Sequence, residues 1–256
     1  MSAPEWMARY GAASGAPIVF LHGFMGSARS VEPLLPHLAG HAPACVVAPH
    51  LPGHHPQAPV SPTFEGNVDW LVQRLRAAGL GLVHLVGYSL GARTALGLAL
   101  TAPDLVGRLT LIGVHPGLAL ADARAERRRL DAERAARLRR DGLPAFVAHW
   151  ESLPLFASQS AAQVEAQREI RLAHEVEGLA ASLEHLGLGS MPELGSRCGE
   201  LGMPVRLVAG ALDRPFVAVA GELAARTRGL ELEVVSGAGH NVVLEAPERL
   251  ARLLTD

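Results

Sequence analysis

One serine of the chain has neighbours that suit a nucleophile or a base. Residues 87–91 read Gly-Tyr-Ser-Leu-Gly, which places Ser89 at the centre of the spacing Gly-x-Ser-x-Gly. The apolar run 82–86 predicts a buried strand before it, and the run 92–100 predicts a helix after it. A serine on such a sharp turn forms a nucleophile elbow, with its hydroxyl above the positive end of the helix. Glycine is expected on both sides, because a Cβ at either position would collide with the neighbouring strand or helix.

Two further residues could activate this serine. A serine hydroxyl reacts poorly until a histidine takes its proton and a carboxylate orients that histidine. Asp213 follows the apolar run 204–210, and His240 follows the run 230–235. If these runs are parallel strands, both side chains lie at the sheet edge where Ser89 emerges. Taken singly, Asp213 could be a turn aspartate and His240 a loop histidine, but the order Ser, Asp, His favours a catalytic triad.

Backbone amides near the serine are expected to stabilise negative charge. The segment 22–24, His-Gly-Phe, follows the first apolar run, 17–21. In this arrangement the N–H groups of Phe24 and Leu90 would form an oxyanion hole. His22 is predicted to brace the loop rather than to react. Histidines also stand at positions 37, 41, 50, 54 and 55, but no carboxylate or cysteine has ligand spacing with them, so neither a metal nor another cofactor is expected.

Composition limits the classes of protein that the chain can represent. It has 256 residues, of which 49% are hydrophobic and 19% charged, as in a globular protein with one large domain. The net charge of −2 argues against nucleic-acid binding, and all 23 basic residues are arginine. No apolar run is long enough to span a bilayer, and no secretory signal is evident. The two cysteines, Cys45 and Cys198, suggest no disulfide framework, so a cytoplasmic location is expected.

The order of apolar and helical segments predicts an α/β fold. Short apolar runs alternate with helical stretches, which is typical of a mostly parallel sheet with helices on both faces. The expected strands are 17–21, 45–48, 82–86, 109–114, 204–210 and 230–235. Residues 119–202 interrupt this alternation with helical sequence, so they are predicted to form a cap on a core of residues 1–118 and 203–256. On the cap, Glu133 and Arg137 have the spacing of an exposed ion pair.

The motifs resemble those of known enzymes. The elbow, the His-Gly-Phe loop, the segment 51–54 (Leu-Pro-Gly-His) and the Gly-His pair at 239–240 resemble the α/β-hydrolase superfamily along the whole chain. A narrower resemblance is to the 2-succinyl-6-hydroxy-2,4-cyclohexadiene-1-carboxylate (SHCHC) synthases of menaquinone biosynthesis. It rests on residues 87–93, 115–118, 148–150 and 154–158.

The resemblance implies a lyase. SHCHC synthases remove pyruvate from a cyclohexene substrate that bears several carboxylates, so the triad would act as a base on a carbon-bound proton. Arginine suits such a substrate because its planar fork binds carboxylates at two points. The implied substrate-binding residues are Tyr88, Arg93, Arg127, Trp150 and Arg171.

Some positions depart from the family pattern, and other functions stay open. His50 stands where an acid is usual, His55 where a glycine is usual, and Glu151 where a second aromatic residue is usual; residues 172–175 replace an amide-rich stretch. A carboxylesterase or thioesterase with Ser89 as nucleophile is the main alternative to the lyase. A non-catalytic binding protein is disfavoured because all three triad residue types are present. The expected partner is a small carboxylate molecule.

Overall fold

The computed structural model describes residues 6–11, 16–39 and 45–256, and within them one twisted sheet has seven strands. The order across the sheet is β1-β3-β2-β4-β5-β6-β7, and every neighbouring pair is parallel except β1 with β3. The strands are β1 (Met7–Tyr10), β2 (Ile18–Leu21), β3 (Val46–Pro49), β4 (Val83–Tyr88), β5 (Val106–Ile112), β6 (Val205–Gly210) and β7 (Leu230–Val235).

Helices cover both faces of the sheet, as the alternating sequence pattern predicts. The α-helices are α1 (Leu35–Leu38), α2 (Phe64–Ala77), α3 (Leu90–Thr101), α4 (Ala121–Glu151), α5 (Ala161–Leu172), α6 (Val176–Leu186), α7 (Arg214–Arg226), α8 (Val242–Glu245) and α9 (Pro247–Thr255). Short 3₁₀ helices occupy Ala28–Leu34, Pro103–Leu105, Pro154–Phe156 and Gly195–Glu200. Among the described residues, no helix combines the length and the apolar character that crossing a bilayer requires.

Burial explains why the central strands are almost continuously apolar. All residues of β2, β3 and β4 are buried, because helices pack on both sides of them. On one face, side chains of α2 and α3 such as Leu71 and Leu96 join the apolar core. On the other face, residues of α9 and of the first 3₁₀ helix, such as Leu250 and Leu34, form a second core. The sheet is therefore a rigid base, and its strand ends hold the loops that carry chemistry.

The helices of the predicted cap, α4 to α6, lie over the loop that follows β2. Helix α4 contains a kink at Gly142, whose φ is 78°, two residues before Pro144. A third apolar cluster joins Phe146 of α4 and Leu179 of α6 to Met25 of the loop. The division into a core of 1–118 and 203–256 and a cap of 119–202 stays a prediction.

The structure corrects three details of the sequence analysis. Strand β1 was not expected, because this edge strand is only four residues long and half exposed along its length. Residues 187–202 are not α-helical, since α6 ends at Leu186 and Gly187 turns the chain away. The exposed pairs on α4 also differ from the expected one: Glu133 pairs with Arg129, and Arg137 pairs with Asp141.

Candidate active site

Ser89 stands on the sharp turn that the Gly-x-Ser-x-Gly spacing predicts. Its φ of 53° lies in the left-handed region, which non-glycine residues rarely adopt. The turn is held because the Ser89 N–H donates to the carbonyl of Ile112 at 2.8 Å. A Cβ on Gly87 would overlap the Gly91 carbonyl, and a Cβ on Gly91 would overlap the Leu21 carbonyl. Both glycines are therefore required by close backbone approach, as expected.

Ser89, His240 and Asp213 form one hydrogen-bonded chain. The His240 Nδ1–H donates to Asp213 Oδ2 at 2.7 Å, which leaves His240 Nε2 to accept the Ser89 hydroxyl at 3.0 Å. The Asp213 and His240 side chains are 6% and 2% exposed, so water does not compete for these bonds. Three strand ends, those of β4, β6 and β7, bring these residues together. This geometry can move a proton from the serine hydroxyl to the imidazole.

Packing fixes the plane of the His240 ring. The ring of Phe216 lies 4.5 Å away and that of Tyr88 lies 5.4 Å away, measured between centroids. Gly113 closes the third side, since a Cβ there would come within 2.9 Å of His240 Cε1. The imidazole thus stays aligned between the serine and the aspartate without large rotation.

The loop after β2 places Phe24 beside the serine. The loop turns tightly because the Gly26 N–H donates to the Gly23 carbonyl at 3.0 Å. Phe24 and Ser89 line the same cavity. Leu90 is the first residue of α3, so its N–H has no partner within the helix. An oxyanion hole formed by the Phe24 and Leu90 amides stays a prediction.

Two buried histidines hold this loop from behind. His22 donates from Nδ1 to the Gly23 carbonyl at 2.8 Å and accepts the Leu51 N–H at 3.0 Å. His54 donates from Nδ1 to the Pro52 carbonyl and accepts the Met25 N–H, both at 3.1 Å. The Met25 backbone is strained, with a φ of 59°, so the His54 acceptor stabilises a conformation that the loop would otherwise leave. His22 thus braces the loop, as predicted, and His54 is a second brace that the sequence analysis did not identify.

We expect the His54→Ala substitution to loosen the loop of residues 22–27. The lost acceptor leaves the Met25 N–H without a partner, and a net hydrogen bond contributes about 1 kcal/mol, so amide exchange there should speed up about fivefold. Burial lowers the pKa of His54 to about 3, so the native bond persists down to about pH 4. Hydrogen exchange measured by mass spectrometry checks this, with the segment 90–101 as internal control. His54→Gln, which retains an acceptor, should restore part of the protection; equal exchange in all three proteins would contradict the bracing role.

A divided cavity opens at Ser89. Its two parts, called here the larger and the smaller lobe, share Phe24, Ser89, Trp150, Leu155 and His240. The larger lobe has a volume of about 340 Å³, which suits a small-molecule ligand. Its polar lining comprises Arg93, His115, Arg127, Asp131, Arg134 and Ser182. The smaller lobe is lined by Ser30, Tyr88, Phe156, Gln167 and Arg171 among others.

Guanidinium groups dominate the larger lobe. Arg93 lies one turn into α3 and donates to the Leu186 carbonyl at 2.9 Å, with no carboxylate partner among its recorded bonds. Burial, together with the charge of Arg127, lowers the pKa of Arg93 to about 10, so the group is a cation at neutral pH. Arg127 donates from Nε to both oxygens of the buried Asp131, at 3.0 and 2.9 Å. Asp131 thus holds Arg127 at the cavity wall through Nε, and the Nη N–H groups of Arg127 remain to bind a ligand.

His115 adds a neutral donor to the larger lobe. The Gly117 N–H donates to His115 Nδ1 at 3.2 Å, which places the ring proton on Nε2. Burial, then the charges of Arg93 and Arg127, lower the pKa of His115 to about 4. The imidazole is therefore neutral at physiological pH and offers one N–H to a bound oxygen atom.

Every predicted substrate-binding residue lines one of the two lobes. Arg93 and Arg127 lie in the larger lobe, Tyr88 and Arg171 in the smaller, and Trp150 between them. Their role in binding stays a prediction. Sequence analysis missed Asp131, although its i+4 spacing from Arg127 was a usable signal.

Of the histidines considered as metal ligands, His41 lies outside the described residues. His50, His54 and His55 lie near one another behind the loop after β2, where the rings of His50 and His55 stack at 4.6 Å. Across the described ranges, no group of three or more His, Cys, Asp or Glu side chains has the geometry to hold a metal ion.

Comparison with known proteins identifies the family of the chain. A family model for the alpha/beta hydrolase fold matches residues 16–247. A Bacillus subtilis protein provisionally named 2-succinyl-6-hydroxy-2,4-cyclohexadiene-1-carboxylate synthase is 35% identical over 259 residues, covering 97% of this chain and 94% of the relative. A Salmonella schwarzengrund protein with the same synthase name is 36% identical over 256 residues and 94% of both chains.

A solved structure is similar over almost the same length. The chain superposes on MenH from S. aureus with a TM-score of 0.89 and 28% sequence identity, covering 98% of this chain and 97% of that one. The sequence and structure comparisons each cover more than nine tenths of the chain.

Proposed function

Because the chain belongs to the α/β-hydrolase family, we propose that it uses this scaffold as a carbon–oxygen lyase. The proposed reaction eliminates pyruvate from a succinyl-cyclohexene carboxylate and so forms the 2-succinyl-6-hydroxy-2,4-cyclohexadiene-1-carboxylate for which the relatives are named. It would serve menaquinone biosynthesis. The observation that carries the proposal is a Ser–His–Asp chain that opens into a cavity lined by arginines. That combination suits a base acting on an anionic substrate.

In the proposed mechanism the triad removes a proton from carbon. Ser89 Oγ, hydrogen-bonded to His240 at 3.0 Å, takes the proton from the substrate carbon as its own proton passes to Nε2. Asp213 stabilises the imidazolium that forms. The electron pair of the C–H bond forms a ring double bond while the C–O bond to the enolpyruvyl group breaks. The leaving enolate takes the proton that the His240 imidazolium returns, which restores the neutral triad, and it departs as pyruvate after tautomerisation, so no water is consumed.

Negative charge that develops during the elimination needs fixed donors. An enolate-like oxygen would accept the N–H groups of Phe24 and Leu90, which lie at the loop after β2 and at the first residue of α3. Such backbone donors are positioned before the reaction and need no reorganisation. His22 and His54 contribute indirectly, because they hold the loop that contains Phe24.

Arginines of the larger lobe are proposed to bind the substrate carboxylates. Arg93 is a cation whose recorded partners are a backbone carbonyl and a methionine sulfur, so a carboxylate would be its first anionic partner. Arg127 can add a second charge-assisted contact from its Nη groups. Tyr88 and Trp150 would enclose the ring of the substrate from the smaller lobe and from the boundary between the lobes.

We expect the protein to release pyruvate from the succinyl-cyclohexene substrate without forming an acyl-enzyme. Base catalysis leaves no covalent adduct, whereas nucleophilic catalysis leaves a burst and a trapped intermediate. Excess enzyme is mixed with substrate and quenched early, pyruvate is assayed, and the intact protein is weighed. Pyruvate should appear while the protein mass stays unchanged.

The same experiment separates the lyase from the main alternative. An acyl mass on Ser89, or hydrolysis of simple aryl esters far faster than pyruvate release, would contradict the lyase. It would favour a carboxylesterase or thioesterase, which can use the same triad with Ser89 as nucleophile.

A further inference from the structure

The smaller lobe contains a guanidinium group that is already paired inside the protein. Arg171 lines this lobe, and its Nη1 donates to Glu151 Oε1 at 3.0 Å. Both side chains are 5% exposed, so the pair is nearly sealed from solvent. The Arg171 guanidinium also lies 5.4 Å from the centre of the Phe156 ring, which fixes it against one wall. Unlike Arg93, this arginine has an anionic partner before any ligand binds.

A second arginine, Arg168, also binds Glu151, but its own charge is balanced by a second carboxylate. Arg168 donates from Nε to Glu151 Oε2 at 3.0 Å, and from Nη1 to Glu165 at 2.7 Å. Glu165 is 70% exposed and lies on the outer side of this network. Two guanidinium groups and two carboxylates therefore compensate one another, and the network that borders the smaller lobe is electrically neutral.

The larger lobe, in contrast, has a net positive charge. Its described lining contains three guanidinium groups, those of Arg93, Arg127 and Arg134, against the single carboxylate of Asp131. Asp131 accepts from both Arg127 and Arg134, so its charge is shared between them. The two lobes that meet at Ser89 thus differ by about two positive charges.

We propose that Glu151 is a specificity-determining residue that keeps the smaller lobe neutral. A ligand carboxylate placed on Arg171 would share its guanidinium with Glu151, and the repulsion between two nearby carboxylates would offset the attraction. The unused N–H groups of Arg171 and the Gln167 amide can still bind an uncharged oxygen. The substrate carboxylates are directed to the larger lobe, and a carbonyl or hydroxyl group lies in the smaller one.

This inference adds a substrate orientation to the proposed function, and it rests on that function because it assumes that the substrate ring lies beside Ser89. It changes the expectation for one residue, since Arg171 then binds an uncharged oxygen and not a carboxylate. Arg93 and Arg127 keep the role that the sequence analysis predicts.

Inert ring acids test the charge of the smaller lobe directly. Cyclohexane-1,2-dicarboxylate and cyclohexane-1,2,4-tricarboxylate cannot eliminate pyruvate, so their binding to the full-length protein is measured by calorimetry without turnover. The unaltered protein should bind the two acids within about threefold of each other. Glu151→Gln keeps the size of the side chain but removes its charge. It should tighten binding of the tricarboxylate about tenfold and leave the affinity for the dicarboxylate unchanged.

Glu165→Gln is the matched control, because it removes the same charge from the exposed end of the same network. It should leave both affinities unchanged. Equal tightening of both acids in Glu151→Gln, the same shift in Glu165→Gln, or no shift at all would each overturn the proposal.

A second variant covers the case in which Glu151→Gln fails to fold because Arg171 is left buried without a partner. The double variant Glu151→Met with Arg171→Met removes both charges and keeps the lobe neutral, so it should bind the two acids within about threefold, like the unaltered protein. A preference of tenfold or more for either acid in this variant overturns the proposal. Since no arm requires pyruvate release, failure here and failure of the lyase are distinguishable.

Discussion

Replacing Ser89 with alanine is expected to reduce pyruvate release about 10⁴-fold. The hydroxyl is the group that faces the substrate carbon in the proposed reaction, and it donates its hydrogen bond to His240 Nε2 at 3.0 Å. His240→Ala should cost about as much, because the serine then has no acceptor for its proton. Steady-state assays of pyruvate release measure both losses.

The double variant of Ser89 and His240 decides whether the residues act as one unit. Members of a triad lose their function together, so the double loss should be about equal to the larger single loss. Circular dichroism and thermal unfolding of each variant establish that the fold persists. If the two single losses multiply in the double variant, the hydrogen-bonded chain seen in the structure is not the catalytic base.

The arrangement of the triad could be predicted from sequence because each member follows a buried strand. In a parallel sheet, the carboxyl ends of the strands meet at one edge. Ser89, Asp213 and His240 therefore converge there because of strand direction, independently of the conformation of the segments between them. Phe24 follows β2, which the structure pairs with β4, so it lies at the same edge of the sheet. Short-range patterns and one topological rule were sufficient for these residues.

The charges of the cavity could not be predicted in the same way. Glu151 and Arg171 are 20 residues apart on two helices, and only the packing of the cap makes them partners. Exposed pairs are equally hard to assign, since Glu133 could pair with Arg129 or with Arg137 at the same spacing. The sequence pattern does not predict strand β1, because its pairing with β3 depends on backbone hydrogen bonds more than on apolar side chains.

The folded state is expected to lose stability steeply as the pH falls from 6.5 to about 4, because histidines buried in neutral form must take up protons on unfolding. His22, His54 and His84 are 0%, 4% and 8% exposed. Burial, the main cause in each case, holds the pKa of His22 well below 6.5 and lowers the pKa of His54 to about 3 and of His84 to about 4. In the unfolded chain these groups titrate near 6.5. At pH 5 these three groups alone give the unfolded state about three more protons, so they lower the free energy of unfolding by about 4 kcal/mol per pH unit.

His84 offers a control for this loss of stability, because its Nε2 hydrogen bond to Thr110 Oγ1, at 2.9 Å, joins β4 to β5 away from the lobes of the cavity. His84→Gln removes one titrating group, so the slope of unfolding free energy against pH should decrease by about 1.4 kcal/mol per pH unit. Urea unfolding followed by circular dichroism at pH 7, 6, 5.5 and 5 gives both slopes. A free energy of unfolding that is the same at pH 6 and pH 5 would show that the buried imidazoles are already charged in the folded protein. His22 and His54 also hold the loop after β2 through their neutral nitrogens, so acid should release that loop together with the fold.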